Sequence, residues 1–210
     1  MIKVLIVDDH SIVREGLSKI IQLESDIEIA GVAKNAAESI KIINSKKVDI
    51  VILDISMPGI SGLDVIKDLK KLQPTARIVM LSMYPEERFA VRALKSGASG
   101  YLTKEMAPEE IIKAIRVVHS GHNYISPSLA ERLVTELQDP KEIAPHERLS
   151  TREFEVMCMI GSAKTINEIA TALSISNRTI STYRTRILQK MNFKNNAAIM
   201  HYVIDNGLVR

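Results

Sequence analysis

The 210-residue sequence predicts an α/β chain: a doubly wound parallel sheet of (βα)5 organisation, followed by a small all-α unit of four helices. Three observations carry that expectation. Through about residue 120, short continuous apolar runs alternate with amphipathic segments, the pattern of parallel strands buried on both faces by helices. The alternation stops after Gly121. From Ser150 onward only helical periodicity remains, and its helices open on capping-box pairs.

The elements follow in order. VLIV (4–7) reads as a strand, and Ile12, Val13, Leu17, Ile20 and Ile21 recur behind it at helical spacing. IEIAGVA (27–33) is a second strand, followed by Ala36, Ile40 and Ile43; VIL (51–53) is a third, followed by Leu63, Ile66, Leu69 and Leu72. RIVMLS (77–82) precedes Ala90, Ala93 and Leu94, and YL (101–102) precedes Ile111, Ile112, Ile115 and Val118. Gly31, Gly59, Gly97 and Gly100 are expected at turns. Pro108 with Glu109 and Glu110 suits a first helical turn, where a missing N–H costs nothing and acids face the helix dipole. SPSLAERLVTEL (126–137) reads as a short helix, and QDPKEIAPHERL (138–149), with two prolines and mixed charges, as a linker.

In the second unit Ser150 with Glu153 opens a helix containing Val156, Met157 and Ile160, and Thr165 with Glu168 opens one containing Ile169, Ala170 and Leu173. Ser176 caps a third, carrying Ile180, Ile187, Leu188 and Met191; a fourth carries Ala198, Ile199, Tyr202 and Val203. The three-residue junction Ser174 to Ser176 has helix-turn-helix spacing. The expected divisions are 1–121, a linker with a short helix over 122–147, and 148–210.

Composition narrows the class. A 46% hydrophobic content supports packed cores, and apolar runs of six or so residues predict neither a membrane span nor a secretory leader, so a cytoplasmic protein is expected. The single cysteine, Cys158, sits among Met157, Met159 and Ile160 and reads as a buried thiol. Residues 1–140 hold 18 basic and 19 acidic side chains, whereas 141–210 hold 10 and 6. No acid occurs between Glu168 and Asp205, a window containing Arg178, Arg184, Arg186, Lys190 and Lys194. One sign of charge on one unit favours a polyanionic partner.

In a doubly wound sheet, ligands bind beyond the carboxyl ends of the strands. Those ends carry Asp8 and Asp9, Asp54, Ser82 and Lys104. Three carboxylates brought together repel one another, and a hard divalent cation such as Mg²⁺ neutralises them with oxygen ligands. Asp54 is then positioned as a nucleophile, and Ser82 and Lys104 to stabilise the oxygens of a transferring phosphoryl group. His10, beside the acidic pair, has metal ligation as one reading; the favoured reading is a neutral residue lining the loop, and it is left out of the site.

In VDDH (7–10), LDISMPGISG (53–62), LSMY (81–84) and GASGYLTKE (97–105), residues 1 to about 120 resemble a CheY-like receiver domain, and the whole chain resembles a NarL/FixJ-type response regulator. The resemblance implies Asp54 as phospho-acceptor, and Asp8, Asp9 and the backbone carbonyl region of Ile55 or Ser56 as the Mg²⁺ site. It also implies Ser82 and Lys104 as phosphoryl ligands, Tyr101 as a switching aromatic and a sensor histidine kinase as phosphodonor. Glu105 stands where many receivers have proline. Residues 149–210 resemble the LuxR-type DNA-binding domain, whose final helix serves as a dimer contact in the family. Ser181 and Tyr183 replace a frequent lysine and histidine, and STYRTR is closer to the GacA-like and BvgA-like subgroups.

The third helix of that unit is read as the recognition helix, since hydroxyls and cations without acids suit the major groove and its phosphates. The expected DNA-binding residues are Arg178, Thr179, Ser181, Thr182, Arg184, Thr185, Arg186 and Lys190. Thr179 and Arg186 are assigned to phosphates, and Ser181, Thr182 and Thr185 to the groove. The expected protein is a transcription factor, not an enzyme, that binds promoter DNA as a homodimer when phosphorylated. Two alternatives stay open: an orphan regulator whose DNA binding ignores phosphate, and a Mg²⁺-dependent phosphohydrolase with an aspartate nucleophile. Adjacent Asp8 and Asp9 on the first strand and a lone acid on the third argue against the second.

Overall fold

A computed structural model describes residues 1–138 and 144–209. The middle of the expected linker, 139–143, lies outside the described residues. The chain divides into two compact units, Met1–Glu131 and Arg132–Arg210.

The first unit holds five parallel strands, β1 (Ile2–Val7), β2 (Ile27–Ala33), β3 (Ile50–Asp54), β4 (Arg77–Ser82) and β5 (Gly100–Thr103), in the order β2-β1-β3-β4-β5. They alternate with α1 (Ser11–Gln22), α2 (Ala36–Ser45), α3 (Gly62–Leu72), α4 (Glu86–Lys95) and α5 (Pro108–His119). Strand side chains point alternately to the two faces, and in the central strands both sets are apolar and buried. Val4, Ile6, Ile50, Ile52, Val79, Leu81 and Leu102 share one core with Leu17 and Ile21 of α1 and Ile111, Ile112, Ile115 and Val118 of α5. Leu5, Val51, Leu53 and Met80, in the alternate positions, are equally inaccessible. The strand order turns back at β1, whose Val7 pairs with Leu53 of β3 and Ala33 of β2, so the crevice of the fold opens where Asp8 and Asp54 end their strands.

Two of the four expected turn glycines stand elsewhere. Gly59 and Gly97 do take positive φ, at 83° and 106°. Gly31 instead lies inside β2, where a Cβ would come within 2.8 Å of Ile42 Cγ2 and the register against β1 slips by one residue. Gly100 opens β5 because the chain returns against it: a Cβ there would meet the Tyr124 carbonyl oxygen at 3.1 Å.

That return was not legible as a strand. Gly100 and Tyr124 form a parallel bridge, with the Tyr124 N–H donating to the Ser99 carbonyl at 2.8 Å. Arg77 donates to the His122 carbonyl at 3.2 Å and the Asn123 side chain at 3.0 Å. The Tyr124 hydroxyl bonds Glu110 of α5, and the Ser126 hydroxyl bonds Glu86 of α4. Ser126 also accepts the Leu129 N–H at the start of α6 (Pro127–Gln138), and the Leu129 side chain is buried. The open edge of β5, which would otherwise expose unpaired backbone groups, is thereby covered.

The second unit holds a 3-10 turn (Pro145–Arg148) and four helices, α7 (Thr151–Gly161), α8 (Ile166–Ala172), α9 (Asn177–Met191) and α10 (Asn196–Asp205). Both expected capping boxes form, and Ser176 caps α9. Val156, Met157 and Ile160 of α7 are buried, as are Ile169, Ile180, Ile187, Met191, Ile199 and Val203 of the other three helices. Gly161 lets α7 approach α10, since a Cβ there would lie 2.7 Å from a Val203 methyl. Cys158 is a buried thiol, as expected. No helix among the described residues is long and apolar enough to cross a membrane.

Candidate functional site

At the carboxyl rim of the sheet, three of the expected acids converge. Asp8 is 1% exposed and Asp54 2%, because each ends a strand buried on both faces. Lys104, from the loop after β5, enters between them with Nζ 2.7 Å from Asp8 Oδ2 and 3.1 Å from Asp54 Oδ2. Ligand atoms of Asp8, Asp9, His10 and Asp54 all lie within 4.8 Å of one another. Arg14 of α1 donates to the Asp8 carbonyl at 2.7 Å, and the His10 N–H donates to Asp8 Oδ1 at 2.9 Å, fixing the turn that presents the acids.

Electrostatics set the state of these groups. Burial pushes the Asp54 carboxyl up to about 6 from 3.8, with Asp8 adding repulsion, while Lys104 and the Ser56 N–H oppose the rise. For Lys104, burial disfavours the charge, but Asp54 and Asp8 outweigh it and hold the ammonium above its usual range. Asp8 Oδ2 and Asp54 Oδ2 share the one Lys104 ammonium, and Asp9 Oδ1 lies 2.9 Å from His10 Nδ1. Three carboxylates gathered around one ammonium carry an excess of negative charge, which is what a divalent cation neutralises. Of the two expected backbone ligands, the Ile55 carbonyl already accepts the Gly62 N–H at 2.9 Å and the Ser61 hydroxyl at 3.2 Å. Gly62 is obligatory there, since a Cβ would fall 1.9 Å from the Asp54 carbonyl oxygen.

Ser82 ends β4 one residue beyond Leu81, the partner of Asp54 in the sheet, and is fully buried. Its hydroxyl accepts the Tyr84 N–H at 3.0 Å, and its carbonyl accepts the Lys104 N–H at 2.8 Å. Tyr101, on β5, is 2% exposed and donates its hydroxyl to the Tyr84 carbonyl at 2.9 Å. The Tyr84 ring in turn lies 4.9 Å from Phe89 of α4. Tyr101 thus packs inward and also holds the residue that Ser82 holds from the other side.

The basic helix α9 separates the eight expected DNA-binding residues into two groups. Arg178, Ser181, Thr182, Thr185 and Arg186 are exposed and Thr179 half-buried, with Arg178, Ser181, Thr182 and Thr185 on one stripe at helical spacing. Gln189 continues that stripe and is exposed, although residue type alone did not single it out. Arg184 turns away, donating to the Asn196 side chain at 2.6 Å at the start of α10. Lys190 pairs at 2.6 Å with Glu153, the capping-box acid of α7. Both cations anchor α9 to its own unit. Thr179 shares its hydroxyl with Ser176 at 2.8 Å, and Ser181, Thr182 and Thr185 bond back to carbonyls one turn earlier.

Residues 4–116 match the family model of the response regulator receiver domain, and 147–203 that of the bacterial regulatory proteins of the luxR family. Response regulator UvrY of Escherichia coli K12 is 35% identical over 99% of this chain and 96% of its own length. Response regulator GacA of Pseudomonas aeruginosa is 34% identical over 100% and 98%. RcsB from Salmonella enterica serovar Typhimurium, solved bound to promoter rprA in the presence of the phosphomimetic BeF3⁻, superposes with a TM-score of 0.62 at 25% identity, covering 97% of this chain and 98% of that one.

Proposed function

Because the chain belongs to the two-component response regulators, with a receiver followed by a LuxR-type DNA-binding domain, we propose that Asp54 is the phospho-acceptor through which a sensor histidine kinase controls its dimerisation and promoter binding. The observation that carries this is the Lys104 ammonium held between Asp8 and Asp54 at the crevice of the sheet. The family is one of transcription regulators rather than enzymes. We assign 1–121 to the receiver, 122–147 to the linker and 148–210 to the DNA-binding domain, in a cytoplasmic protein.

Asp8, Asp9 and Asp54 would hold Mg²⁺, with Ser56 the remaining choice of backbone carbonyl because that of Ile55 serves α3. When bound, the ion supplies positive charge to the oxygens of the transferring phosphoryl group. With its carboxyl near 6, Asp54 is ionised at neutral pH and able to attack. An Asp54 oxygen bonds to phosphorus as the bond from phosphorus to the donor nitrogen breaks, that nitrogen keeping the electron pair. Lys104 then shifts from the carboxylates to the phosphoryl oxygens, and the Ser82 hydroxyl turns to donate to one of them. Ser82 thereby releases the Tyr84 N–H and loosens the residue whose carbonyl holds Tyr101. Repacking around Tyr101 and α4 is the two-state element that carries the signal outward.

On DNA, the exposed stripe of α9 faces the major groove with Ser181, Thr182 and Thr185, while Arg178, Thr179 and Arg186 meet phosphates. A dimer places two such helices on two-fold-related half-sites. Selection of DNA from a random pool, with and without acetyl phosphate and Mg²⁺ and with dimerisation followed in parallel, tests this. Enrichment of two-fold sites together with dimer formation, both dependent on acetyl phosphate, is expected. Equal enrichment without it identifies a phosphate-independent regulator.

A further inference from the structure

The outward stripe of α9 has a chemical character that its residue types alone leave open. A hydroxyl both donates and accepts, but those of Ser181, Thr182 and Thr185 each lie against a backbone carbonyl one turn earlier: 2.9 Å from that of Asn177, 3.0 Å from that of Arg178 and 3.0 Å from that of Ser181. A carbonyl only accepts, so each hydroxyl hydrogen is committed within the helix. All three residues are exposed, side by side on one stripe. What they turn outward is a set of oxygen lone pairs and, from Thr182 and Thr185, two methyl groups. Arg184 and Lys190 add no donor to this face, since Asn196 and Glu153 hold them.

We propose that this face reads A·T base pairs, with the Thr182 and Thr185 methyls packed on thymine methyls as the specificity contacts. The inference rests on reading α9 as the helix that enters the major groove. There an A·T pair presents an adenine amino donor and a thymine C5 methyl together, so a lone pair and a methyl of the helix both find a partner on it. Guanine presents only N7 and O6, two acceptors that oppose the hydroxyl lone pairs. Such a face rejects guanine by repulsion as well as favouring adenine by attraction. Cytosine supplies an amino donor without the methyl. Turning a hydroxyl to donate to guanine would give up its bond to the helix carbonyl, so the exchange gains little.

The full chain is used to select DNA from a random pool, and each thymine of the enriched half-site is then replaced by uracil, which removes the methyl and nothing else. Binding of these probes is compared for the wild type, Thr182→Ser and Thr185→Ser, variants that keep the hydroxyl and lose the methyl. We expect A·T pairs to dominate the core of the half-site. For each threonine, one uracil replacement should weaken wild-type binding about threefold or more. That penalty should vanish in the matching serine variant and persist in the other. Enrichment of G·C pairs in the core, equal binding of thymine and uracil probes by the wild type, or a penalty that both serine variants retain overturns the inference and leaves α9 as the recognition helix. If no sequence is enriched, the groove reading of α9 falls and the inference with it. Because the comparison uses whatever sites the chain selects, with or without acetyl phosphate, it fails separately from the phosphorylation of Asp54. The wild-type thymine–uracil ratio decides the point even where a variant misfolds.

Discussion

The Lys104 ammonium lies 3.1 Å from Asp54 Oδ2, so the buried nucleophile candidate is held as one half of an ion pair. Removing one partner of a buried pair leaves the other charged and uncompensated, at a cost of about 3 kcal/mol or more. Lys104→Met should therefore lower thermal stability at pH 8, and part of the loss should return near pH 4 as the facing Asp54 carboxyl takes up its proton. Melting curves at the two pH values measure it; a loss equal at both would mean that packing, not charge, is what Lys104 supplies.

The raised Asp54 carboxyl makes a prediction of opposite sign. An acid whose folded pKa lies above its unfolded value stabilises the fold fully below the unfolded value, and that contribution disappears as pH rises through the folded one. With 3.8 moving to about 6, the window runs from pH 4 to 6. In buffer free of divalent ions, Asp54→Asn should therefore gain stability over the wild type across that window. The gain should approach about 3 kcal/mol above it, at roughly 1.4 kcal/mol per pKa unit. Denaturant midpoints at pH 4 and 7.5 check this, a constant difference being the contrary result.

Tyr101→Phe keeps the ring in its buried position and removes only the hydroxyl that donates to the Tyr84 carbonyl. We expect a loss of about 1 kcal/mol. Binding of BeF3⁻ in the pocket should survive while BeF3⁻-induced dimerisation weakens. Fluorine NMR and sedimentation read the two separately, and unchanged dimerisation would remove Tyr101 from the relay.

On α9 the arginines divide. Arg184→Ala, which cuts the bond to Asn196, should destabilise the second unit. Arg186→Ala should leave stability within about 0.5 kcal/mol, weaken DNA binding across sequences and reduce its salt slope by about one phosphate contact. Thermal melts and binding isotherms at several salt concentrations separate these effects; an unchanged slope for Arg186→Ala would take it off the phosphates.

The segment on the edge of β5 gives a further test. Gly100→Val places two methyls where the Tyr124 backbone runs, so amide exchange at Tyr124 and Leu129 should accelerate well before that of β1 and β3. Uniform acceleration would instead mean that the whole first unit had been destabilised.

Much of this molecule was legible in its residues because period and punctuation agree with the final packing. The apolar runs became strands at their expected places, and Ser150, Thr165 and Ser176 cap the helices they were expected to cap. The rim residues Asp8, Asp54, Ser82 and Lys104 could be named because a parallel sheet gathers its strand ends. What escaped depends on contacts distant in sequence. Gly31 looks like a turn residue until Ile42 packs on it, and Gly100 until Tyr124 returns against it. Arg184 and Lys190 look like free cations until Asn196 and Glu153 are placed beside them. Gln189 could have been found by continuing the stripe of Arg178, Thr182 and Thr185 by one turn.

The most direct test of the central claim is the intact mass of the full chain after incubation with acetyl phosphate and Mg²⁺, for the wild type and Asp54→Asn. A single phosphoryl group on the wild type and none on the variant is the predicted result. A variant labelled to the same extent as the wild type would place the acceptor elsewhere and contradict the assignment of Asp54.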